Sequence, residues 1–184
     1  MNTPKNFSEA ISAAEQTIEK YFRELSTGDL NAGGGQNTWS IAQCLQHIIK
    51  TNQSYFPALE QLAQGTYRAT FWQKTSPFSS SIGRNLPVEL GAVVHKKYKA
   101  PRIFQPVQRD ISPKIVEDLL ENLSRLEQLA DQITSKGHWN TVISSPVSQL
   151  ITFSAYNAVA MLIGHTERHI QQAKSRLDAS NKHA

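Results

Sequence analysis

Two of the six histidines in the chain lie four residues apart, in the segment His165-Thr166-Glu167-Arg168-His169. On an α-helix this spacing places both imidazoles on one face, one turn apart, so both can reach a single metal ion. The pattern differs from the zincin motif, in which a glutamate directly follows the first histidine. Because Glu167 is two residues after His165, it would lie on the far side of the helix, and we do not assign it as a general base.

His47 is a candidate third ligand from another helix. In a helical projection that starts at Ile41, His47 lies at the edge of the apolar arc. The residues near it in that projection are small: Ser40, Cys44, Thr51 and Ala58. Small residues around one histidine leave space, as the wall of a cavity would. The same projection places Ser154, Ala158, Met161 and Leu162 beside the other pair, which is therefore expected to face the interior.

Spacing alone leaves a second interpretation open for these histidines. A histidine at an apolar edge is often a hydrogen-bonded or partly exposed residue, and a pair four residues apart can simply flank a groove. Periodicity also cannot show that His47 meets His165 and His169, because it does not say which helices are neighbours.

Apolar residues recur at three- and four-residue spacing in four segments, which we predict to be helices. The segments span about 7–26, 41–64, 113–136 and 152–177. We expect Gly28 to stop the first helix and Pro57 to kink the second. The pattern predicts an all-α four-helix bundle in a single domain, 1–184, with a frayed tail at 179–184.

Several residues beside these segments have the types that begin or end helices. Ser40 and Gln43 form a potential capping box for the second helix, with Trp39 packed as a staple on Cys44. Ser112 followed by Pro113 is a start signal for the third helix. Gly65 and Gly137 are the expected ends of the second and third helices.

Residues 66–111, between the second and third helices, form a long irregular insert with half of the chain's prolines. We predict short helices near 77–83 and 88–97. Phe71, Trp72 and Phe78 either anchor the insert or line the mouth of a substrate site, and the pattern favours anchoring.

Composition restricts the class of protein. The chain has 184 residues, 39% hydrophobic and 18% charged, with a formal net charge of +4, which is typical of one globular domain. Its basic residues are spread out, which argues against nucleic-acid binding. Its single cysteine, Cys44, excludes an internal disulfide and a cysteine-based zinc cage. With no signal segment and no apolar stretch long enough to span a bilayer, we expect a soluble, cytoplasmic protein without a membrane partner.

Two segments of the sequence are Asn37-Thr38-Trp39-Ser40-Ile41-Ala42-Gln43-Cys44-Leu45-Gln46-His47-Ile48 and Gly164-His165-Thr166-Glu167-Arg168-His169-Ile170-Gln171-Gln172. They resemble the helix-two and last-helix signatures of the DinB/YfiT-like superfamily. A third segment, Lys99-Ala100-Pro101-Arg102-Ile103-Phe104-Gln105-Pro106, resembles the stretch before helix three in the DinB_2 branch of that superfamily. The resemblance covers the chain from about Trp39 to Leu177. It implies a four-helix bundle that holds one divalent metal ion on His47, His165 and His169. The remaining histidines, His95, His138 and His183, match no ligand position of the superfamily.

A site of three histidines leaves at least one coordination position open, as catalytic metal sites do, and zinc or nickel would fit it. By analogy with the superfamily, the resemblance implies transfer of a low-molecular-weight thiol to a small electrophilic substrate. Two alternatives stay open: hydrolysis of a small molecule, and a metal-binding bundle without turnover in stress response or protein interaction. We assign no catalytic acid or base, and a homodimer through a spare helix face is compatible with the pattern.

Overall fold

The computed structural model describes residues 7–33, 38–75, 101–106 and 110–181, with side chains up to residue 178. Four long helices make up most of this part of the chain: α1 (Phe7–Phe22), α3 (Ile41–Gln64), α5 (Ile115–Lys136) and α6 (Ala155–Asn181). Two short helices, α2 (Thr27–Asn31) and α4 (Phe71–Thr75), lie between them. A hairpin of β1 (Val142–Ser145) and β2 (Ser148–Ser154) precedes α6.

The four long helices form a bundle around one apolar core. Helices α1 and α3 each pack against both α5 and α6. Each helix buries most of the stripe that its periodicity predicted; in α1, for example, the buried residues are Ile11, Ala14, Ile18 and Phe22. The predicted all-α architecture is therefore confirmed, with a small antiparallel sheet added to it.

The first helix ends earlier than its pattern predicted. It stops at Phe22, and the prediction that Gly28 stops it is wrong, since Gly28 lies inside α2. The reason is a capping box after the end of α1. The Ser26 side chain accepts a hydrogen bond from the backbone N–H of Asp29, whose carboxylate accepts one from the Ser26 N–H, and this starts a new helix.

Helix α3 begins and ends where its capping residues predicted. The Ser40 side chain accepts a hydrogen bond from the backbone N–H of Gln43, and the Gln43 side chain accepts one from the backbone N–H of Ser40. At the other end Gly65 adopts φ 74° and its N–H bonds back to Gln61 and Leu62. Helix α5 likewise ends at Gly137, with φ 70°. It begins at Ile115 rather than directly after Ser112, so the predicted start was two residues too early.

The hairpin corrects the predicted start of the last helix. Residues Thr152 to Ser154, assigned to that helix from the sequence, instead pair with Ser144 to Val142 in an antiparallel ladder. Ile143 and Phe153 face each other in this ladder and are fully buried. Their burial in the core outweighs the helical spacing of the segment, and β-branched and aromatic residues suit a half-buried strand.

Parts of the insert and of the tail fall inside the described residues. The predicted helices near 77–83 and 88–97, and Phe78, lie outside them. Phe71 is 82% exposed, so its predicted anchoring role is wrong, whereas Trp72 donates from Nε1 to the carbonyl of Leu150 at 3.3 Å. The backbone stays helical to Asn181, and residues 182–184 of the expected frayed tail lie outside the described ranges.

Among the described residues, no helix combines the length and the apolar character that crossing a membrane requires.

Candidate metal centre

Three buried histidines from two helices meet in the bundle interior. His47 lies on α3, and His165 and His169 lie one turn apart on α6. One ring nitrogen of each lies within 4.8 Å of those of the other two, and the ring centroids are 4.5 to 4.8 Å apart. The side chains are 3%, 6% and 4% exposed, respectively. The structure thus brings together the three histidines that the sequence singled out, and they could hold a metal ion.

The local sequence explains how each helix presents its histidine. Helix α6 buries Ala158, Leu162 and Ala173 completely on the side that packs into the bundle, and His165 and His169 share that side. Glu167 is exposed, as its position in the helical projection predicted. In α3, the neighbours Cys44 and Thr51 are small and buried, which leaves room for the imidazole of His47.

The hydrogen bonds of His47 determine its tautomer. Its Nδ1 lies 2.7 Å from the backbone carbonyl oxygen of Phe104. A carbonyl oxygen can only accept, so Nδ1–H is the donor and, in the neutral ring, Nε2 carries a lone pair. That Nε2 lies 3.0 Å from Nε2 of His165. The lone pair therefore points into the cluster.

The spacing of these two nitrogens fits a shared cation. Two nitrogens that bind one Zn²⁺ at about 2.1 Å, with an angle of about 90 to 110° between them, lie roughly 3.0 to 3.4 Å apart. The imidazole Nδ1 atoms of His165 and His169 are buried and have no hydrogen-bond partner among the described residues. Nδ1 of His47, in contrast, makes the outer hydrogen bond that metal-binding histidines usually make.

Burial keeps the three rings neutral. Removal from water lowers the pKa of His47 to about 4 and that of His169 to about 3. It also places the pKa of His165 well below its usual range, and the nearby imidazoles add to this effect. The positive charge of Arg168 lowers the pKa of all three rings further. At neutral pH each ring therefore keeps a lone pair that can bind a cation.

Trp39 and Phe104 complete the surroundings of the cluster, and sequence reasoning missed both roles. The ring centroid of Trp39 lies 4.6 Å from that of His47 and 5.7 Å from that of His169, where the rings are stacked. The sequence predicted a staple on Cys44 for this tryptophan. The position of Trp39 just before the capping residue of α3 could have indicated that its ring lies close to this helix. A backbone carbonyl such as that of Phe104, in contrast, has no signature in the sequence.

The other candidate groups lie outside the cluster. His138 follows the end of α5 and is half-buried, while His95 and His183 are not among the described residues. Cys44 is fully buried, and burial raises the pKa of its thiol to about 12. This agrees with the predicted inert role, because the reactive form of cysteine is the thiolate.

Comparison with known proteins identifies a family but no individual relative. No curated protein sequence and no solved structure matches the chain. The sequence profile of the DinB superfamily matches residues 10–173, a range that includes all three clustered histidines and those parts of the four long helices that lie between residues 10 and 173. The chain belongs to the DinB superfamily.

Proposed function

We propose that this protein is an enzyme that binds one divalent metal ion, zinc or nickel, on His47, His165 and His169. We further propose that it transfers a low-molecular-weight thiol to a small electrophilic substrate. The observation that carries the proposal is the convergence of three buried, neutral imidazoles from two helices. Membership of the DinB superfamily supports it.

The donor set suits chemistry that needs a strong positive charge. A divalent cation on three neutral imidazoles keeps its full double charge, retains an open coordination position, and lowers the pKa of a thiol or water held there. The ring of His47 is oriented by its bond to Phe104, and Trp39 covers the imidazoles of His47 and His169.

Charge near the site favours an anionic form of the bound thiol. Arg168 is half-buried, and its positive charge acts on all three clustered rings. In the proposed reaction the thiol loses its proton to solvent water, and its sulfur lone pair forms a bond to an electrophilic carbon. The electron pair displaced from that carbon leaves with a leaving group or takes up a proton. A cytoplasmic location, where small thiols stay reduced, would suit this reaction.

Metal content is the first test of the proposal. We expect purified protein to bind about one zinc or nickel ion per chain, and we expect His47→Ala, His165→Ala and His169→Ala each to reduce the bound metal strongly. His138→Ala is the matched control, because it removes a histidine outside the cluster. Equal metal content in all four variants, measured by elemental analysis, would contradict the proposed site.

The reaction type is tested on cobalt-substituted protein. If a thiol binds at the ion, an added low-molecular-weight thiol should change the visible spectrum of the wild type but not that of His165→Ala. Turnover of small esters or amides without thiol would instead support hydrolysis. A metal-loaded protein with neither response would support a bundle without turnover.

A further inference from the structure

The returning end of the insert, residues 101–106, forms a short turn bracketed by two prolines. Within this 101–106 turn, the N–H of Phe104 bonds to the carbonyl of Pro101 and that of Gln105 to the carbonyl of Arg102. Gln105 has φ −65° and ψ 137°, the extended conformation that a following proline favours. The turn therefore stops at Phe104, and the last carbonyls remain available to other donors.

Helix α3 provides two donors for these two carbonyls. The Nδ1–H of His47 donates to the carbonyl of Phe104 at 2.7 Å, and the ammonium of Lys50 donates to the carbonyl of Gln105 at 3.1 Å. His47 and Lys50 are three residues apart and so lie on one side of the helix. Successive carbonyls of the turn are thus bound by neighbouring side chains of α3.

The side chain of Phe104 holds the turn against the bundle. It is 8% exposed, although the residues before and after it, Ile103 and Gln105, are exposed. Phe104 is thus the buried side chain of an otherwise exposed segment, and the carbonyl that His47 uses belongs to the same residue. Burial of the Phe104 ring therefore fixes the position of the Phe104 carbonyl beside His47.

We propose that the 101–106 turn is a positioning element for His47. Held in place by the buried Phe104 ring and by the hydrogen bond from Lys50 to the Gln105 carbonyl, the turn presents the Phe104 carbonyl to Nδ1–H of His47. It thereby keeps His47 in the Nδ1–H tautomer, so that the lone pair of Nε2 faces His165. Without this acceptor the neutral ring would populate both tautomers, and the one with a proton on Nε2 cannot bind a cation through that atom. The part that concerns cation affinity rests on the proposed function, whereas the part that concerns the tautomer does not.

The tautomer is tested on metal-free protein by ¹⁵N NMR of the histidine rings at neutral pH. We expect His47 of the wild type to be a single Nδ1–H tautomer, and Phe104→Ala and Lys50→Met to show a mixture. Ile103→Ala, which removes an exposed side chain of the same turn, should show the same single tautomer as the wild type. Phe104→Leu keeps an apolar side chain at this position and should largely restore the Nδ1–H tautomer. An Nε2–H tautomer in the wild type, or an unchanged tautomer in both Phe104→Ala and Lys50→Met, would overturn the proposal.

Zinc affinity, measured by competition with a chelator, gives the second readout. We expect Phe104→Ala to bind zinc about 10- to 100-fold more weakly than Ile103→Ala, as loss of an outer hydrogen bond to a ligand does in other sites. An affinity within twofold of this control would contradict the positioning role. If neither the wild type nor Ile103→Ala binds a divalent cation, the proposed function fails, while the NMR result still decides whether the turn sets the tautomer.

Discussion

The two ring nitrogens of His47 have different partners, and this difference carries much of the chemistry. Nδ1 donates to a backbone carbonyl, and Nε2 faces a second imidazole. The same burial that makes the three rings good ligands also makes protonating them costly. The stability of the metal-free protein should therefore depend on pH in a definite direction.

The pH dependence follows from the lowered pKa values. An unfolded histidine binds a proton near pH 6.5, whereas folded His47 does so only near pH 4. Between these values the unfolded chain binds more protons, so the free energy of unfolding is highest above pH 6.5. It falls as the pH decreases, by about 1.4 kcal/mol per pH unit for each fully buried histidine.

Urea unfolding with chelator present, at pH 7.5, 6.5 and 5.5, measures this slope. We expect this slope to be smaller in His47→Gln, by roughly the contribution of one buried histidine. His138→Ala is the control variant, because it removes a histidine that lies outside the buried cluster. Equal slopes in the wild type and His47→Gln would contradict the assignment of the acid sensitivity to the cluster.

At the scale of elements, several ends of the helices are determined by local chemistry that is visible in the sequence. Ser40 and Gln43 form their capping box, and Gly65 and Gly137 end helices in the left-handed conformation. Gly28 is one exception, because a serine two residues earlier starts α2. An added methyl group is therefore expected to have opposite effects on stability at Gly65 and at Gly28.

Gly65→Ala should destabilise the protein and Gly28→Ala should not. At Gly65 φ is 74°, where alanine is strained, and the loss is expected to be about 1 kcal/mol of unfolding free energy. Gly28 is helical, and among the described residues a Cβ there would meet only Ser26 Oγ, at 3.6 Å, so alanine is expected to add roughly 0.5 to 1 kcal/mol to the free energy of unfolding. Urea unfolding of both variants measures the difference, and a destabilised Gly28→Ala would contradict the assignment to α2.

At the scale of the whole molecule, the histidine cluster joins parts of the chain that are far apart in sequence. His47 and His165 are separated by 118 residues, yet their nitrogens are 3.0 Å apart. An ion bound to them would link α3 to α6, and this three-histidine arrangement exists only in the folded state. Cation binding should therefore stabilise the entire bundle.

Thermal unfolding with zinc and with chelator tests this coupling. At a free zinc concentration 100 times the Kd, stabilisation should be about 2.7 kcal/mol. For a chain of this size that corresponds to an increase in Tm of roughly 5 to 10 °C. His165→Ala should lose most of the increase. The same increase in that variant would show that zinc acts elsewhere on the protein.

The sequence by itself determined the helical stripes and the helix ends at Ser40, Gly65 and Gly137, because these depend on contacts within one or two turns of helix. The set of three histidines followed from the resemblance to the superfamily and not from their spacing. The sequence did not reveal the strand pairing of Thr152 to Ser154, since burial of Phe153 beside Ile143 is a contact across the core. Nor did it reveal the partners of His47: the ring of Trp39 and the carbonyl of Phe104 reach it only when separate segments pack together. Only the tertiary structure decides which side chains converge, because that depends on which helices are neighbours, and local spacing contains no information about neighbours.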